Sequence, residues 1–237
     1  MILEVQTGLR PLAQALPAAG RVVETGEHLP PFDLHAPLLS LPFLLGVDDD
    51  SLPADLPYLS VPQEREQYWA SRVSRDGRLK VGLIWAGNPK VGNDRVRSPR
   101  LPPLLPLFAI DGIDWYVLQQ GDGRRDLDEF PLPDHVHDVA NEIASFVDSA
   151  AVMRHLDLVI SSDTSTAHLA PAVGTTTWVL LHHSADWRWG TRSKTPWYPG
   201  SRLFRQPSAG DWGTPVRMMA EALQSTLAAH RAAPLSR

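Results

Sequence analysis

Four short apolar segments between Lys80 and Leu181 place the strongest constraint on the fold of this chain. They read KVGLIWA from Lys80, DWYVLQQ from Asp114, LDLVISS from Leu156 and TTTWVLL from Thr175. Stretches compatible with helices separate them, and strands that alternate with helices favour a parallel sheet with helices on both faces. The sequence therefore predicts a doubly wound, Rossmann-like α/β domain. Such sheets bind ligands beyond the carboxyl ends of their strands, so we expect a site in the loops that follow these segments.

The first part of the chain has the pattern of a smaller α/β unit. It predicts a strand at Ile2–Val5, a helix over Leu9–Leu16 and a second strand at Arg21–Glu24. In the apolar stretch that follows, Pro37 and Pro42 forbid a long regular helix.

A connector separates this unit from the regular pattern, since residues 48–67 combine several prolines with many acidic residues. We therefore predict a partial amino-terminal α/β domain at residues 1–65, a linker at 66–79 and a carboxyl-terminal domain at 80–237. The last domain ends in a predicted helix over Val216–His230.

The composition narrows the classes of function. With 22 basic and 27 acidic residues the formal net charge is -5, which disfavours a nucleic-acid-binding protein that relies on a basic surface. The absence of cysteine excludes disulfides, thiolate nucleophiles and cysteine-type zinc sites. The histidines at 135–137 and 182–183 lack the spacing of a helical zinc site, so we predict no metal ligands.

The same composition indicates where the protein works. No apolar stretch is as long as a transmembrane helix, and the first residues, MILEVQTGLRPL, lack the features of a secretory signal. We expect a cytoplasmic protein without a transmembrane segment, in which local groups bind any anionic ligand.

The segment LVISSDTSTAHLAPAVG, residues 158–174, joins a buried strand to a helix through small polar residues. Asp163 is a predicted N-cap for a helix that begins at Thr164, which would leave the amides of Ser165 and Thr166 free to bind an oxyanion. The hydroxyl groups and His168 would add hydrogen-bond donors. The motif taken alone is more typical of a capped helix with a packed histidine and no ligand.

A second segment, GNPKVGNDRVRS at residues 87–98, follows the first strand of the predicted sheet. Its glycines let the backbone approach an anion, and Lys90, Arg95 and Arg97 can neutralise one. A solvated turn with ordinary surface charges is the alternative. The segment contains neither a Walker motif nor G-x-G-x-x-G, so phosphate binding of those two types is not expected.

Both segments leave the carboxyl ends of strands in one sheet, so we expect them on one rim. A third loop begins at Gln119 and Gln120, and a fourth contains His183, Asp186 and Trp187, whose aromatic ring is more typical of packing than of a sugar platform. The convergence of these loops predicts a phosphate site, and specifically one for the diphosphate of a nucleotide sugar.

Several motifs in order also resemble a known family. VGLIWAGNPKVGNDRVRS, LDLVISSDTSTAHLAPAVG, DWRWG, PWYPGSRLFRQ and GDW resemble the carboxyl half of bacterial glycosyltransferases of the ADP-heptose:lipopolysaccharide heptosyltransferase-like (family 9-like) group, of the type often attached to tetratricopeptide repeats. The likeness covers residues 80 to about 225. It implies a GT-B architecture, in which two Rossmann-like domains face a cleft and the carboxyl-terminal one holds the nucleotide sugar without an obligatory metal or another cofactor.

The resemblance also implies a set of donor-binding residues. The loop before the helix would contribute Asp163, Thr164, Ser165 and His168, and the facing loop would contribute Asn88, Lys90, Asn93, Asp94, Arg97 and Ser98. The residue patterns themselves add the Thr166 hydroxyl and Gln119, which could contact a base or a phosphate. The donor would be an ADP-, UDP- or GDP-linked sugar, and the acceptor an unidentified glycan, lipid or protein. Charges from the amides and from Lys90 or Arg97 would stabilise the departing diphosphate.

Some features depart from the family pattern. Pro171 lies inside the predicted diphosphate helix and should shorten or kink it after one or two turns. Val91 stands where a polar or basic residue is common, and no QGLGD-like segment precedes the first strand, so the amino-terminal domain is expected to be incomplete.

Because of that expected gap, two functions stay open, with a sugar-nucleotide epimerase as a less favoured third. The chain is either a glycosyltransferase or a catalytically impaired nucleotide-sugar-binding or interaction module. Asp33 and His35 are the candidates in the first unit for a general base that would favour the enzyme.

Overall fold

Eight strands form two parallel sheets in the computed structural model, which describes residues 1–48, 51–52, 55–73, 76–90, 92 and 94–232. The strands are β1 Ile2–Val5, β2 Arg21–Glu24, β3 Leu79–Ile84, β4 Ile113–Val117, β5 Val136–Asp138, β6 Leu158–Ser162, β7 Thr177–Leu181 and β8 Arg202–Arg205. β1 pairs with β2, and the other six form one sheet in the order β5-β4-β3-β6-β7-β8. The order reverses between β3 and β6, which confirms the predicted doubly wound sheet.

Helices connect the strands and cover both faces of the larger sheet. They are α1 Arg10–Ala13, α2 Leu41–Leu44, α3 Gln63–Ala70, α4 Asp94–Arg97, α5 Asp126–Glu129, α6 Phe146–Met153, α7 Ser165–Ala172 and α8 Gly213–Ala232. Short 3₁₀ helices span Leu38–Ser40, Pro102–Ala109, Gly121–Arg125, Ala140–Glu142 and Trp187–Trp189. Of the helices in the described part of the chain, none is both long and apolar enough to cross a lipid bilayer.

All of the predicted strands are observed. The bounds of β1 and β2 match the prediction, whereas the first helix is shorter than the predicted Leu9–Leu16. α8 starts earlier than the predicted Val216, because the carboxylate of Asp211 accepts hydrogen bonds from the amide and the hydroxyl of Thr214 at 3.0 and 2.7 Å. α7 ends at Ala172, one residue after Pro171, as the proline predicts.

The side chains of the central strands alternate between two buried clusters. Val81 and Leu83 point to one face, where Trp115 and α8 complete a core that water does not reach. The opposite face packs against α6 and α7. This burial on both faces explains why the central strands are continuous apolar runs.

Gly82, in the middle of β3, allows close packing on the face of the sheet that α6 and α7 cover. A methyl group at this position would lie 2.7 Å from a Leu156 methyl and 3.0 Å from a Leu118 methyl. The glycine therefore lets α6 and its flanking turn settle close to the sheet.

The chain that leads from the small sheet to the large one is anchored at two places. The amides of Tyr58 and Leu59 both donate to the carbonyl of Ala172 at 3.0 Å, at the end of α7. α3 then packs against α6 and buries Trp69 completely. The division of the chain at residues 66–79 stays a prediction, although α3 extends into that range.

An ion pair joins α3 to α6 and gives a testable pH dependence. Burial alone would raise the pKa of Asp148, but hydrogen bonds from Ser145, Arg65 and the amide of Ala144 lower it below its usual range. Because the folded pKa is lowered, this stabilisation is present above the ordinary pKa of aspartate and is lost as the pH falls through the lowered value. The free energy of unfolding should therefore decrease between about pH 5 and pH 3.

Asp148→Asn should remove about 1 kcal/mol of stability at neutral pH and flatten this acid limb, as measured by urea unfolding across the pH range. Arg72→Ala serves as a control, since the side chains of Arg72 and Glu142 are 36% and 43% exposed and an ion pair in contact with water should contribute little. An acid limb unchanged in Asp148→Asn would contradict the assignment.

Candidate functional site

A cavity of about 840 Å³ opens at the carboxyl edge of the larger sheet, where the strand order reverses. The loops after β3, β4, β6 and β7 form its walls, and α6 closes one side. β3 and β6 are neighbours, with Ile84 opposite Ser161, so the loops that leave these two strands face each other. Open parallel sheets bind nucleotides at this position.

The start of α7 forms one wall of the cavity. Thr164 is the N-cap, with extended backbone and no side-chain cap. Within the described residues, the amides of Ser165 and Thr166 donate to no protein group. Unbonded amides at the positive end of a helix dipole attract an anion, so this wall is suited to a phosphate.

Asp163 is not the N-cap that the sequence predicts. The cap falls one residue later, and a carboxylate oxygen of Asp163 accepts a 2.8 Å hydrogen bond from the indole nitrogen of Trp189. Asp163 is 9% exposed, and a carboxylate that is buried to this extent needs such a donor. The bond holds the loop after β7 against the start of α7.

Three hydroxyl groups form a connected set under this wall. The Thr164 and Thr166 hydroxyls lie 2.7 Å apart, and Ser161 Oγ lies 2.8 Å from that of Thr166. Ser161 Oγ also donates to the carbonyl of Ser162 at 2.8 Å. Because the Ser161 proton is committed to that carbonyl, the network fixes the side chains of the two threonines that line the cavity.

The loop after β3 approaches α7 closely because it begins with a glycine. A methyl group at Gly87 would lie 2.6 Å from the Arg97 guanidinium, 2.7 Å from the Asp94 carboxylate and 3.1 Å from a Thr164 methyl. The Gly87 amide donates to Ser98 Oγ at 3.0 Å, and that hydroxyl donates to Asp94 at 2.8 Å. Asp94 and Ser98 therefore stabilise the turn through hydrogen bonds and do not line the cavity.

Arg97 links the two facing loops. One guanidinium nitrogen donates to the carbonyl of Asp163 at 3.1 Å, and Nε lies 3.4 Å from Asp94. With 16% of its side chain exposed, Arg97 lines the cavity while its hydrogen bonds go mainly to protein. Its charge is therefore fixed in place beside the amides of α7.

Lys90 and Asn88 lie at the exposed tip of the same loop. The Asn88 side chain accepts a 3.0 Å hydrogen bond from the Lys90 amide, which sets the turn. Both residues line the cavity, and the ammonium group of Lys90 has no carboxylate partner among the described residues. The ammonium group of Lys90 can therefore form an ion pair with an anionic ligand.

His168 lies one turn into α7 and is held by aromatic residues. Its ring stacks on Trp189, with centroids 4.8 Å apart, and Nδ1 lies 3.1 Å from the Tyr198 hydroxyl. Burial lowers the pKa of His168, the charge of Asp163 opposes this, and Arg188 lowers it further. Burial raises the pKa of Tyr198, so both side chains are neutral near pH 7. His168 lines the cavity as a neutral hydrogen-bonding group.

Gln119 is buried beneath the cavity and uses its whole amide group to hold protein. Its oxygen accepts from the amides of Trp85 and Ala86 at 2.9 and 2.8 Å. Its nitrogen donates to the carbonyls of Ala86 and Gln120 at 3.0 and 2.7 Å. Gln119 therefore fixes the ends of β3 and β4 relative to each other, and its side chain has no further donor for a ligand.

Part of the cavity lining is apolar, and we call this part the floor. Ile84, Leu118 and Met153 line it, and each is almost fully buried. An apolar floor beside a polar wall suits a molecule with a flat base at one end and phosphates at the other.

The structure brings together most of the predicted site residues. Those that line the cavity are Asn88, Lys90, Arg97, Gln119, Asp163, Thr164, Ser165, Thr166 and His168. Asn93 lies outside the described residues. In the fourth loop Asp186 lines the cavity, whereas the exposed Trp187 and His183 do not.

Sequence reasoning missed Arg188, Ser149 and Met153, which also line the cavity. Arg188 is part of the DWRWG segment, whose aromatic residues are the stronger signal in the sequence. Among the described residues, no three histidine or acidic side chains come together as a metal site would require.

Comparisons with known proteins agree with this architecture. No protein-family model matches the chain. Protein FlbA of Caulobacter vibrioides is 29% identical over 181 residues, which are 74% of this chain and 30% of FlbA. Among solved structures, E. coli ADP-heptose lps heptosyltransferase II is 16% identical with a TM-score of 0.55, over 77% of this chain and 57% of that one.

A glycosyl transferase family 9 protein from Veillonella parvula is 14% identical with a TM-score of 0.55, over 90% of this chain and 64% of that one. The chain has a GT-B-like fold. It spans less than two thirds of the length of each of these solved structures and about a third of FlbA. The cavity lies between the loops at the carboxyl edge of the Rossmann-like parallel sheet.

Proposed function

We propose that the cavity binds a nucleotide-diphosphate sugar and that the protein is a glycosyltransferase. The observation that carries this proposal is the pair of amides at Ser165 and Thr166, which have no partner in the described part of the chain and face the cation of Lys90 across one cavity. A diphosphate can use both features, and the apolar floor at Leu118 and Met153 can accommodate a base. The glycosyltransferase fold of the structural neighbours supports the same function.

The chemistry of transfer explains why these groups matter. When an acceptor hydroxyl attacks the anomeric carbon of the sugar, a new oxygen–carbon bond forms and the hydroxyl proton passes to a base. The bond from the anomeric carbon to the diphosphate oxygen breaks at the same time, and that oxygen becomes more negative. Helix-end amides and lysine or arginine side chains stabilise this growing charge more than they stabilise the bound substrate. We propose that the amides at the start of α7, together with Lys90 or Arg97, stabilise the departing diphosphate without a metal ion.

The structural neighbours indicate which donor to test first. One structural neighbour is an ADP-heptose lps heptosyltransferase, so an ADP-linked sugar is the first candidate, with UDP- and GDP-linked sugars as alternatives. The acceptor is a glycan, a lipid or a protein. A cytoplasmic location, where such a donor would be met, stays a prediction.

A specific observation also favours the second function, a binding module that does not catalyse transfer. Within residues 1–48, which include the small sheet, no side chain lines the cavity. Asp33 and His35 are both exposed and lie outside it, so neither is placed as a general base. The alternative function uses the same donor site and differs only in that no sugar is transferred after binding.

Titration calorimetry with ADP, UDP and GDP tests the donor site. At least one should bind with a submillimolar Kd, and Lys90→Met should weaken that binding about tenfold because a charge-assisted contact to phosphate is lost. Arg95→Met is the matched control, because Arg95 is an exposed cation of the same segment that does not line the cavity.

The two functions separate in a second measurement. An enzyme should release nucleoside diphosphate from the corresponding nucleotide sugar, slowly in water and faster with an acceptor, whereas a binding module should release none. Failure of all three nucleotides to bind below millimolar concentration would overturn both.

A further inference from the structure

Arg188 differs from Arg97, the other arginine of the cavity, in how weakly it is held. Among the described residues its guanidinium bonds only to Asp186, at 2.6 Å, and lies 4.8 Å from the centre of the exposed Trp187 ring. Asp186 is 41% exposed, and ion pairs in contact with water add little stability. Arg97, in contrast, is committed to the carbonyl of Asp163.

The backbone that carries Arg188 is fixed although the side chain is not. Trp189 is buried and bonded to Asp163, and the carbonyl of Arg188 accepts a 2.8 Å hydrogen bond from the Thr195 hydroxyl. The carbonyl of Gly190 accepts a further bond from Arg205 at 2.6 Å. The loop therefore fixes the backbone of Arg188 at the cavity wall, while the guanidinium can change its hydrogen-bond partner.

The strand order indicates which part of a bound donor would lie near Arg188. The sheet runs β4, β3, β6, β7, so the apolar floor beside β3 and β4 and the loop after β7 lie on opposite sides of the α7 amides. Neighbouring strands are about 4.8 Å apart, so this row covers about 14 Å. A nucleotide with its base on the floor and its first phosphate at α7 would direct its second phosphate toward Arg188.

We infer that Arg188 exchanges its bond to Asp186 for the distal phosphate of the donor, the one that carries the transferred sugar. This inference rests on the proposed function and adds a donor-binding residue to it. Guanidinium binds phosphate through two parallel hydrogen bonds, which a single exposed carboxylate oxygen does not match. Asp186 acts as a competitor that holds the guanidinium until phosphate arrives.

This arrangement gives two neighbouring variants effects of opposite sign. Arg188→Met should weaken binding of the nucleoside diphosphate that the wild type binds best by about tenfold or more, and leave binding of the matching monophosphate within about twofold. Asp186→Asn should strengthen diphosphate binding a few-fold. Asparagine can still accept the 3.1 Å bond from the Arg188 amide, so the turn is preserved.

Calorimetry on the full chain measures these affinities, and thermal unfolding checks that each variant folds. Arg188→Lys should recover part of the lost affinity because the charge returns without the two-pronged geometry. Equal loss of monophosphate and diphosphate binding in Arg188→Met, unchanged diphosphate binding, or loss of binding in Asp186→Asn would each overturn the inference. If the wild type bound no nucleotide, the proposed function itself would fail, which is a distinguishable result.

Discussion

Ser165→Glu should abolish nucleotide binding by this protein and leave the fold at least as stable as before. Ser165 is exposed at the first position of α7, where the described helix has no acidic residue in its first turn. A carboxylate there would interact favourably with the helix dipole, by about 0.3–1 kcal/mol. The same carboxylate would occupy the place that we assign to a phosphate.

The loss of affinity should be about hundredfold or more. Two like charges about 4 Å apart repel by about 4 kcal/mol at an effective dielectric constant of about 20, and each 1.4 kcal/mol is a factor of about ten. Calorimetry gives the Kd, and thermal unfolding gives the stability. Ser165→Gln has the same shape without the charge and should retain most of the affinity. If Ser165→Glu bound the diphosphate as well as the wild type, the anion would not lie at the start of α7.

The larger sheet is predictable because its central strands carry the signal of burial on both faces. A run such as Val81 to Ile84 has to be a buried strand when helical stretches flank it. The edge strands lack that signal. β5 has three residues, two of them exposed, and β8 lies in a tail rich in tryptophan, tyrosine and proline, so the sequence pattern predicts neither.

The location of the site is also predictable, since the carboxyl ends of parallel strands meet at one edge. The hydrogen bonds within it are not. Asp163 is expected to cap the helix that follows it, because the local pattern is typical of a cap. The donor that binds it instead, Trp189, is 26 residues away and comes near only through β7 and its loop.

Gln119 shows the same limit of local reasoning more strongly. A glutamine at the end of a strand indicates a contact to a base or phosphate when only its neighbours in sequence are considered. Its partners Trp85 and Ala86 lie 34 and 33 residues earlier, and the parallel pairing of β3 with β4 brings them together. A side chain that forms hydrogen bonds with four backbone groups has a structural role, but no local sequence pattern predicts this role.

Gln119→Leu should therefore be among the most destabilising substitutions in the chain. Leucine fills a similar volume but leaves the amides of Trp85 and Ala86 without an acceptor and two carbonyls without a donor, at a position that is 2% exposed. A buried backbone group without a partner costs about 1–3 kcal/mol, so we expect a loss of about 3–5 kcal/mol. For a chain of this length that lowers the melting temperature by roughly 10 °C.

Gln120→Leu is the matched control, because the side chain of this neighbouring glutamine is exposed and donates a 2.6 Å hydrogen bond to the carbonyl of Ala140. Its loss should change stability by less than about 1 kcal/mol. Urea unfolding of both variants measures the difference.

The Gln119 variant should also lose nucleotide affinity, since β3 would no longer hold Gly87 and Lys90 at a fixed distance from α7. Equal stability of the two variants would show that water or a backbone shift replaces the four bonds, and the rigid link between β3 and β4 would then have another cause.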